Sequence, residues 1–358
     1  MFGRMVVSVI VPVFNGEKFL RECLESVKAC PSQEMECIIV NDGSTDGTDE
    51  ICRRFAYEDA RFRLINKKNT GVSDSRNRAL AEASGEYVFF LDADDFILTD
   101  QWPEILAFAE RGDFDMVAFS YRDLFSDGGT KEERFTGDSD IKLAILTTTL
   151  MNTCWGKLLR RDVIEKNGLS FDRELKTCED AVFILDFTQK TESISLSNIC
   201  AICYRIHSGG TMRQAELENK LSDFSVLYER RCRYLDENSG EALGKGMYRQ
   251  LFSVITDLLR SYAGNRRIPE IRRAYKKNMG NPVITAIIDK TEIRSLSPVY
   301  KKFEYALLTT GLYTCLAMYF KVKGRFRVHQ RGLYNAPAKG VYIENAGSGE
   351  GLCNHSYN

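Results

Sequence analysis

The chain has 358 residues, of which 44% are hydrophobic and 28% are charged, and its formal net charge is −1 at pH 7. This length allows one large domain and a smaller one, and the composition is that of an ordinary globular protein. The near-neutral charge argues against a general affinity for nucleic acid.

The cysteines and the first apolar segment indicate the compartment. Residues 6–13 are apolar, but they run into Asn15-Gly16 without a cleavage site, so we expect a strand and not a secretory leader. The eleven irregularly spaced cysteines are then expected to be reduced, in a cytoplasmic setting. Cys200 and Cys203 have the spacing of a redox or zinc pair. They lie in a strand-like run without a second pair, so we favour a structural role.

Strand and helix patterns alternate along the first 121 residues. Strands are predicted over residues 6–13, 36–40, 62–65, 87–91 and 116–121, and helices over residues 19–27, 48–55, 73–83 and 102–111. This order predicts an α/β fold with a mostly parallel, doubly wound sheet. The glycine-rich motifs of dinucleotide-binding proteins and P-loop kinases do not follow the first strand, which argues against both classes.

The second half of the chain has helical patterns. Residues 216–262 are predicted to be helical with a break at residues 240–246, and residues 299–320 form another helical pattern. Residues 305–320 carry no charge but are too few to span a bilayer. Basic residues flank this stretch: Lys301, Lys302, Lys321, Lys323, Arg325 and Arg327. The pattern suits an interfacial helix on an anionic membrane, and the alternative is a core helix of a helical domain.

An acidic cluster follows the predicted strand 87–91. Asp92, Asp94 and Asp95 are so close in sequence that their carboxylates repel one another, and a hard divalent cation would relieve that repulsion. Strand tips of open α/β sheets are also where ligands bind. The pattern thus predicts a metal site that holds a phosphorylated ligand, with a solvated acidic turn as the alternative. A calcium loop is excluded because Ile97 occupies the position that needs glycine.

Several short motifs occur in a fixed order along the chain. They are Val9-Ile10-Val11-Pro12-Val13-Phe14-Asn15, Val40-Asn41-Asp42-Gly43-Ser44-Thr45-Asp46-Gly47-Thr48, Asn69-Thr70-Gly71-Val72-Ser73-Asp74-Ser75-Arg76-Asn77, Phe90-Leu91-Asp92-Ala93-Asp94-Asp95, Trp155-Gly156-Lys157-Leu158-Leu159-Arg160-Arg161, Glu179-Asp180 and Tyr204-Arg205-Ile206-His207. This series resembles the family 2 glycosyltransferases of the GT-A fold, in the bacterial group that builds surface polysaccharides. The resemblance covers about residues 5–210.

The resemblance implies an inverting transferase that uses a UDP-sugar with Mn²⁺ or Mg²⁺. It makes Asp94 a direct metal ligand, places Asp92 on the ribose or the metal, and lets Asp95 assist. His207 matches a further metal ligand that some relatives supply from a loop; the alternative is a solvent-exposed histidine. Asp180 matches the general base, with Glu179 as the fallback. The structural alternative is that this carboxylate only stabilises the N-terminus of a helix through the helix dipole.

The resemblance also implies the substrate-binding residues. Asp42 would bind the uracil edge, and Phe14 would stack on the base where many relatives have tyrosine. Pro12 would order the loop that carries Phe14, and Arg76 would bind the nucleobase or a phosphate. The remaining positions are Asp92 and Ala93 of the acidic motif, Trp155 in the sugar or acceptor pocket, and Lys157 and Arg205 near the diphosphate.

Three parts are therefore expected: a GT-A domain over residues 1–210, a helical region over residues 211–328 and a flexible tail over residues 329–358. The acceptor would be a hydroxyl of a glycan or of a lipid-linked molecule, which places the enzyme in the cytoplasm or on the inner face of the membrane. A sugar-1-phosphate nucleotidyltransferase is the alternative enzyme, although its Gly-rich basic loop is absent. A catalytically inactive nucleotide-sugar-binding scaffold is the alternative without enzymatic activity.

Overall fold

The computed structural model describes residues 6–31, 34–135, 140–148, 150–191, 193–207, 217–238, 240–264 and 266–327. The predicted tail, residues 329–358, lies outside these described residues. The boundary predicted near residue 210 falls within another undescribed segment and stays a prediction. The ten cysteines that the structure describes are all free thiols, in agreement with the sequence interpretation.

One nine-stranded sheet forms the centre of the molecule, in the order β3-β2-β1-β4-β8-β6-β9-β5, with β7 paired to β6. The strands are β1 (Val7–Val13), β2 (Met35–Asn41), β3 (Phe62–Asn66), β4 (Tyr87–Phe90), β5 (Phe96–Ile97), β6 (Met116–Leu124), β7 (Thr130–Glu133), β8 (Lys157–Arg160) and β9 (Ile194–Arg205). Strands β1–β4, β6 and β9 point the same way, whereas β5, β7 and β8 run against their neighbours. The predicted α/β class with a mostly parallel sheet is confirmed.

Helices cover both faces of the sheet and continue beyond it. They are α1 (Leu20–Ala29), α2 (Thr48–Glu58), α3 (Val72–Glu82), α4 (Trp102–Arg111), α5 (Ile141–Thr147), α6 (Arg161–Lys166), α7 (Glu179–Thr188), α8 (Leu217–Asn238), α9 (Glu241–Ala263), α10 (Ile268–Asn278), α11 (Pro282–Lys290), α12 (Val299–Thr309) and α13 (Tyr313–Arg327). The predicted helices that follow the first strands are α1–α4, with ends shifted by a few residues.

Two hydrophobic clusters divide the sheet residues by face, because successive side chains of a strand point to opposite sides. Val9 and Phe89 belong to the cluster formed with α1, α2 and α4. Ile10 and Phe90 belong to the other cluster, which extends without interruption through α7 and α8 into α9. The C-terminal helices thus share a core with one face of the sheet.

The break predicted at residues 240–246 is wrong in its extent. The helix α8 ends at Asn238 and α9 begins at Glu241, so only residues 239 and 240 lie between the helices, and α9 continues through Gly244 and Gly246. Gly246 has a packing reason for its lack of a side chain. A Cβ there would lie 2.9 Å from Leu143 Cδ1 and 3.0 Å from Thr147 Cγ2, both on α5.

The helical pattern predicted over residues 299–320 is two helices and not one. Gly311 has a φ of +70°, which ends α12 and lets the chain turn into α13. Leu307, Leu308, Leu316, Ala317 and Phe320 are buried in the helical core, as the core-helix alternative expects. None of the helices in the described part of the chain is both long and apolar enough to cross a membrane.

Candidate active site

The acidic motif forms a tight turn at the tip of β4. The Leu91 amide still bonds to the Ile10 carbonyl of β1 (3.0 Å), and the Asp95 amide then closes the turn on the Asp92 carbonyl (3.0 Å). Asp92, Asp94 and Asp95 each offer one oxygen, and these atoms lie within 4.8 Å of one another. The end of the apolar strand therefore brings three carboxylates to one point.

Asp95 is the buried member of this turn, and only 1% of it is exposed. Its Oδ1 accepts the Arg205 amide at 2.7 Å, while its Oδ2 is buried and lacks a hydrogen-bond partner among the described residues. Burial and the neighbouring aspartates raise its pKa well above the usual range, and burial raises that of Asp92 to about 6 against the pull of Arg76. These residues fit a hard divalent cation, which prefers carboxylate oxygens.

Residues at the end of β9 contact the acidic turn. Strand β5 follows the acidic turn and pairs antiparallel with β9, so the turn and the end of β9 lie close together. His207 Nε2 lies 2.7 Å from Asp94 Oδ2, so the two expected metal ligands meet, although the ligand role of His207 stays a prediction. The Arg205 guanidinium donates to the Asp94 carbonyl (2.9 Å) and to Glu22 (2.7 Å), and it lies over the Phe19 ring. These contacts show that Arg205 stabilises the acidic turn. The contact of Arg205 with the diphosphate remains an expectation.

Arg76 on α3 connects the acidic turn to the Glu179-Asp180 motif. It is 3% exposed, and its guanidinium bonds to Asp92 (3.0 Å), Glu179 (3.1 Å) and Asp180 (2.5 Å). The sequence resemblance implies that this arginine contacts the nucleobase or a phosphate of the donor, and that contact stays untested. In the structure its charge compensates three carboxylates, and the predicted metal site and the predicted base therefore lie in one cleft.

Asp180 lies in the first turn of α7 and remains partly exposed, with 17% of its side chain accessible. Its Oδ2 accepts the Cys154 amide at 3.3 Å, opposite the oxygen that Arg76 binds. Burial and the Asp180 charge raise the pKa of Glu179 to about 7, although Arg76 lowers it. The Glu179 side chain is similarly exposed (14%), so the contact that sets Asp180 apart is the Cys154 amide, which orients its carboxylate, in keeping with the predicted base.

The ends of β1 and β2 form the expected nucleotide side of the cleft. Asp42 accepts the amides of Thr70 and Gly71, both at 2.9 Å, and pairs with Lys67, so it fixes the loop before α3. Pro12 is buried within β1, opposite Val40 of β2. Phe14, just beyond the strand, is 50% exposed, so a ligand can reach part of its side chain. Lys67 was not predicted from the sequence.

Trp155 lies in the loop that leads into β8, and Lys157 is the first residue of that strand. Trp155 is 6% exposed and stacks on Tyr204 with ring centroids 5.2 Å apart, so little of its ring is available to a ligand. Lys157 is 1% exposed and donates to Thr153 Oγ1 (3.2 Å) and to the Leu150 and Trp155 carbonyls. Burial lowers its pKa to about 7. The geometry favours a role in fixing this loop over the expected diphosphate contact.

Ala93 lies half-buried between Asp92 and Asp94. Two further residues at the site were given no role in the sequence interpretation. Tyr204 precedes the predicted Arg205 and completes the aromatic stack, and Cys154 supplies the backbone amide that binds Asp180. An aromatic next to a predicted site residue is a signal that would have found Tyr204, whereas no local pattern marks the Cys154 amide.

Comparison with known proteins identifies the family. The model of glycosyl transferase family 2 matches residues 8–168. The glycosyltransferase EpsH of Bacillus subtilis is 34% identical over 249 residues, which is 65% of this chain and 70% of EpsH. Both matches agree with the resemblance seen in the ordered motifs.

Solved structures confirm the GT-A fold. The chain is similar to Staphylococcus aureus TarS 1-349 in complex with UDP-GlcNAc, with a TM-score of 0.63, 21% identity, and coverage of 90% of this chain and 92% of TarS 1-349. It is also similar to the mannosyltransferase PcManGT of Pyrobaculum calidifontis in complex with GDP-Man and Mn²⁺, with a TM-score of 0.50, 16% identity and coverage of 89% and 88%. The chain is a glycosyltransferase and belongs to family 2.

Proposed function

We propose that this enzyme transfers a sugar from a UDP-sugar to a hydroxyl of a glycan or lipid-linked acceptor, with inversion and with Mn²⁺ or Mg²⁺, in the synthesis of a bacterial surface polysaccharide. The observation that carries this proposal is the Arg76 bridge. Because one guanidinium bonds to both Asp92 and Asp180, the metal-binding turn and the base face one reaction centre.

Phe14 and Asp42 are suited to the nucleoside. The half-exposed ring of Phe14 offers a face on which a uracil can stack. Asp42 is held at the end of β2 by two backbone amides and Lys67, so its carboxylate is fixed where it can accept a uracil N–H. The UDP-GlcNAc bound by TarS, which has the same fold, supports a UDP-linked donor.

Asp92, Asp94 and His207 would hold the metal, and Asp95 would support it through its unpartnered oxygen. When bound, a divalent ion supplies positive charge that stabilises a diphosphate leaving group. Arg205 keeps the carbonyl of Asp94 in place, so the ligand turn is preorganised. Carboxylate ligands suit both Mn²⁺ and Mg²⁺, whereas an imidazole ligand from His207 would favour Mn²⁺ over the harder Mg²⁺.

Asp180 would act as the general base. The acceptor oxygen bonds to the anomeric carbon, the bond from that carbon to the diphosphate breaks, and the acceptor proton moves to Asp180. A single displacement of this kind inverts the anomeric configuration. Arg76 and the Cys154 amide hold the two carboxylate oxygens from different sides, which fixes the direction in which Asp180 accepts the proton.

Calorimetry of UDP binding tests the metal site. We expect UDP to bind much more tightly with Mn²⁺ than with EDTA, because the diphosphate and the carboxylates share the cation. Asp94→Ala should remove most of this difference, and Asp127→Ala, which changes an exposed acid in the turn between β6 and β7, should preserve it. Equal UDP affinity with Mn²⁺ and with EDTA in the wild type would remove the metal from the proposal.

UDP release tests the base and the donor together. A panel of UDP-sugars is incubated with Mn²⁺ and water as the acceptor, and the fastest donor is then assayed with variants. Asp180→Asn keeps the shape of the side chain and should retain UDP affinity, while turnover falls by about a hundredfold or more. Near-normal turnover in this variant would assign the base to Glu179 or elsewhere.

We also propose that the surface of α12 and α13 rests on the membrane that carries a lipid-linked acceptor. The exposed apolar residues there are Val299, Phe303, Leu312, Met318 and Val322. Two of the lysines named in the sequence interpretation are less suited to this role. Lys321 donates to the carbonyls of Gly264 and Arg266, and Lys323 pairs with the buried Glu304.

Liposome co-sedimentation tests the membrane contact with apolar substitutions, since neutralising Lys321 or Lys323 would disturb internal contacts. We expect the protein to bind anionic liposomes at low salt. Replacing Phe303, Met318 and Val322 together with serine should reduce this binding, because it removes apolar surface that inserts into the membrane interface. Tyr57→Ser, at a residue that is 92% exposed on α2, is the matched control. Equal binding by the triple variant and the control would contradict the contact.

A further inference from the structure

The backbone directly before Asp180 is held in an unfavourable conformation. Cys178 has a φ of +64°, and within the described residues only one other non-glycine residue, Asn15, has a positive φ. A side chain in this left-handed region costs roughly 1–2 kcal/mol, so the conformation persists only where the surroundings impose it. Residues 176–178 therefore need an external support, because they set the start of α7 and the direction of Asp180.

Asp223 on α8 supplies that support. Its Oδ2 accepts the Lys176 amide (2.9 Å), the Thr177 amide (2.8 Å) and the Thr177 hydroxyl (3.0 Å). Asp223 is 8% exposed and Thr177 is 1% exposed, so these bonds are shielded from water. A buried carboxylate that accepts two amides and a hydroxyl is a strong anchor for a loop, because charged hydrogen bonds are stronger than neutral ones.

Arg231, eight residues later on the same helix, supports the other side of Asp180. It is buried, and its guanidinium donates to Asn152 Oδ1 (2.8 Å) and to Gln250 Oε1 on α9 (2.6 Å). Asn152 ends the short 3₁₀ turn Leu150–Asn152, two residues before the Cys154 amide that bonds to Asp180. The helix α8 thus contacts both segments that orient the proposed base.

We propose that α8 positions the catalytic base, with Asp223 as its principal positioning residue. This inference rests on the proposed function, in which Asp180 removes the acceptor proton. Asp223 contacts the loop and not the cleft, and α8 lies beyond residues 8–168 that match the family model. The nucleoside and metal positions come from other segments, namely the ends of β1, β2, β4 and β9.

Removal of the Asp223 carboxylate should therefore separate turnover from donor binding. Without its three bonds, the loop can relax from the strained φ of Cys178, and Asp180 moves with it. A displacement of about 1 Å at a reacting group can cost up to a hundredfold in rate. We expect Asp223→Ala to lower the kcat for UDP release by about tenfold to a hundredfold, with KM for the UDP-sugar and UDP affinity with Mn²⁺ within about twofold of the wild type.

Two companion variants distinguish positioning from a loss of stability. Asp223→Asn keeps an oxygen that can accept all three bonds and should restore most of the turnover. Arg230→Ala breaks the neighbouring contact from α8 to Asp186 on α7 (3.2 Å) without touching residues 176–178, so it should leave kcat unchanged. Hydrogen exchange of the peptide containing residues 175–180 should rise in Asp223→Ala and not in Arg230→Ala.

A double-variant cycle with Asp180→Asn completes the test. If Asp223 acts through Asp180, Asp223→Ala should lower turnover little further once Asp180 has been replaced. Equal, multiplicative losses in both backgrounds would overturn the proposal, and so would unchanged exchange of the loop or equal kcat in Asp223→Ala and Arg230→Ala. Near-normal turnover of Asp180→Asn alone would instead refute the proposed base, and this is a separate result from any effect of Asp223.

Discussion

Replacement of Arg76 by methionine tests whether one cation compensates the carboxylates of the cleft. Methionine fills a similar volume without charge, so the variant isolates the electrostatic contribution of the guanidinium. In the wild type this group lies within 3.1 Å of Asp92, Glu179 and Asp180, and it is almost fully buried. Its loss leaves three carboxylates close together without a compensating charge.

The size of the effect depends on pH. Removing one partner of a buried ion pair costs about 3–5 kcal/mol, and we expect this loss of unfolding free energy at pH 8. Asp92 and Glu179 already have raised pKa values of about 6 and about 7, and Arg76 lowers both. Without Arg76 these pKa values rise further, so the folded variant binds more protons than the unfolded chain. Its stability therefore falls as pH rises through this range and recovers on acidification.

Urea unfolding in EDTA at pH 5.5 and at pH 8 measures this dependence. We expect the free-energy difference between Arg76→Met and the wild type at pH 5.5 to be about half of that at pH 8 or less. Arg54→Met, at an exposed arginine paired with Glu58, is the control and should show no such pH dependence. A destabilisation of Arg76→Met that is equal at both pH values, or below about 1 kcal/mol at pH 8, would refute the compensating role.

Three further sets of stability measurements test Glu179, Lys157 and two glycines of α9. Glu179 has a pKa raised to about 7, so the wild type should lose stability as pH rises from about 4.5 to about 7, and Glu179→Gln should remove up to ~3 kcal/mol of that loss. Lys157 has a pKa lowered to about 7, so its contribution is present at high pH and is lost as pH falls towards about 7; Lys157→Met should flatten the stability profile between about pH 7 and 10. Gly244→Ala should raise the unfolding free energy by about 0.5–1 kcal/mol, because Gly244 lies inside a helix with room for a Cβ. Gly246→Ala should lower it, because the new Cβ meets α5; thermal unfolding shifts of the same sign in both variants would contradict this packing.

The first half of the fold could be predicted because its signals are local. The strands β1, β2 and β4 are buried along their whole length, and the alternation of the first strands with helices implies a parallel sheet. The strands β5 and β8 have only two and four residues, and β8 begins with the buried Lys157, so their patterns are too short or too polar to recognise. The break between α8 and α9 comprises only residues 239 and 240, and the predicted break was too long because, in sequence, glycines inside a helix resemble glycines that end one.

The site was predictable where its residues belong to short motifs, as at Asp92 and Asp94. Its electrostatics were not, because they depend on pairs far apart in sequence. Arg76 is 103 residues from Glu179, and no local pattern states which carboxylates a helical arginine will meet. The same holds for Asp223, which is 46 residues from Thr177 and is one of many charged residues on a long helix.

The continuous hydrophobic cluster that joins the sheet to α7, α8 and α9 limits how this enzyme can be recombined with its relatives. A chimera that exchanges only residues 8–168 keeps the recognisable family segment, but it separates Arg76 from its native Glu179 and Asp180. A break near residue 210 would instead remove α8 and α9 from the hydrophobic cluster that they share with α7 and one face of the sheet. The smallest exchangeable unit therefore includes the C-terminal helices, and changes of donor or acceptor are more safely made by substitutions within the cleft than by exchange of whole segments.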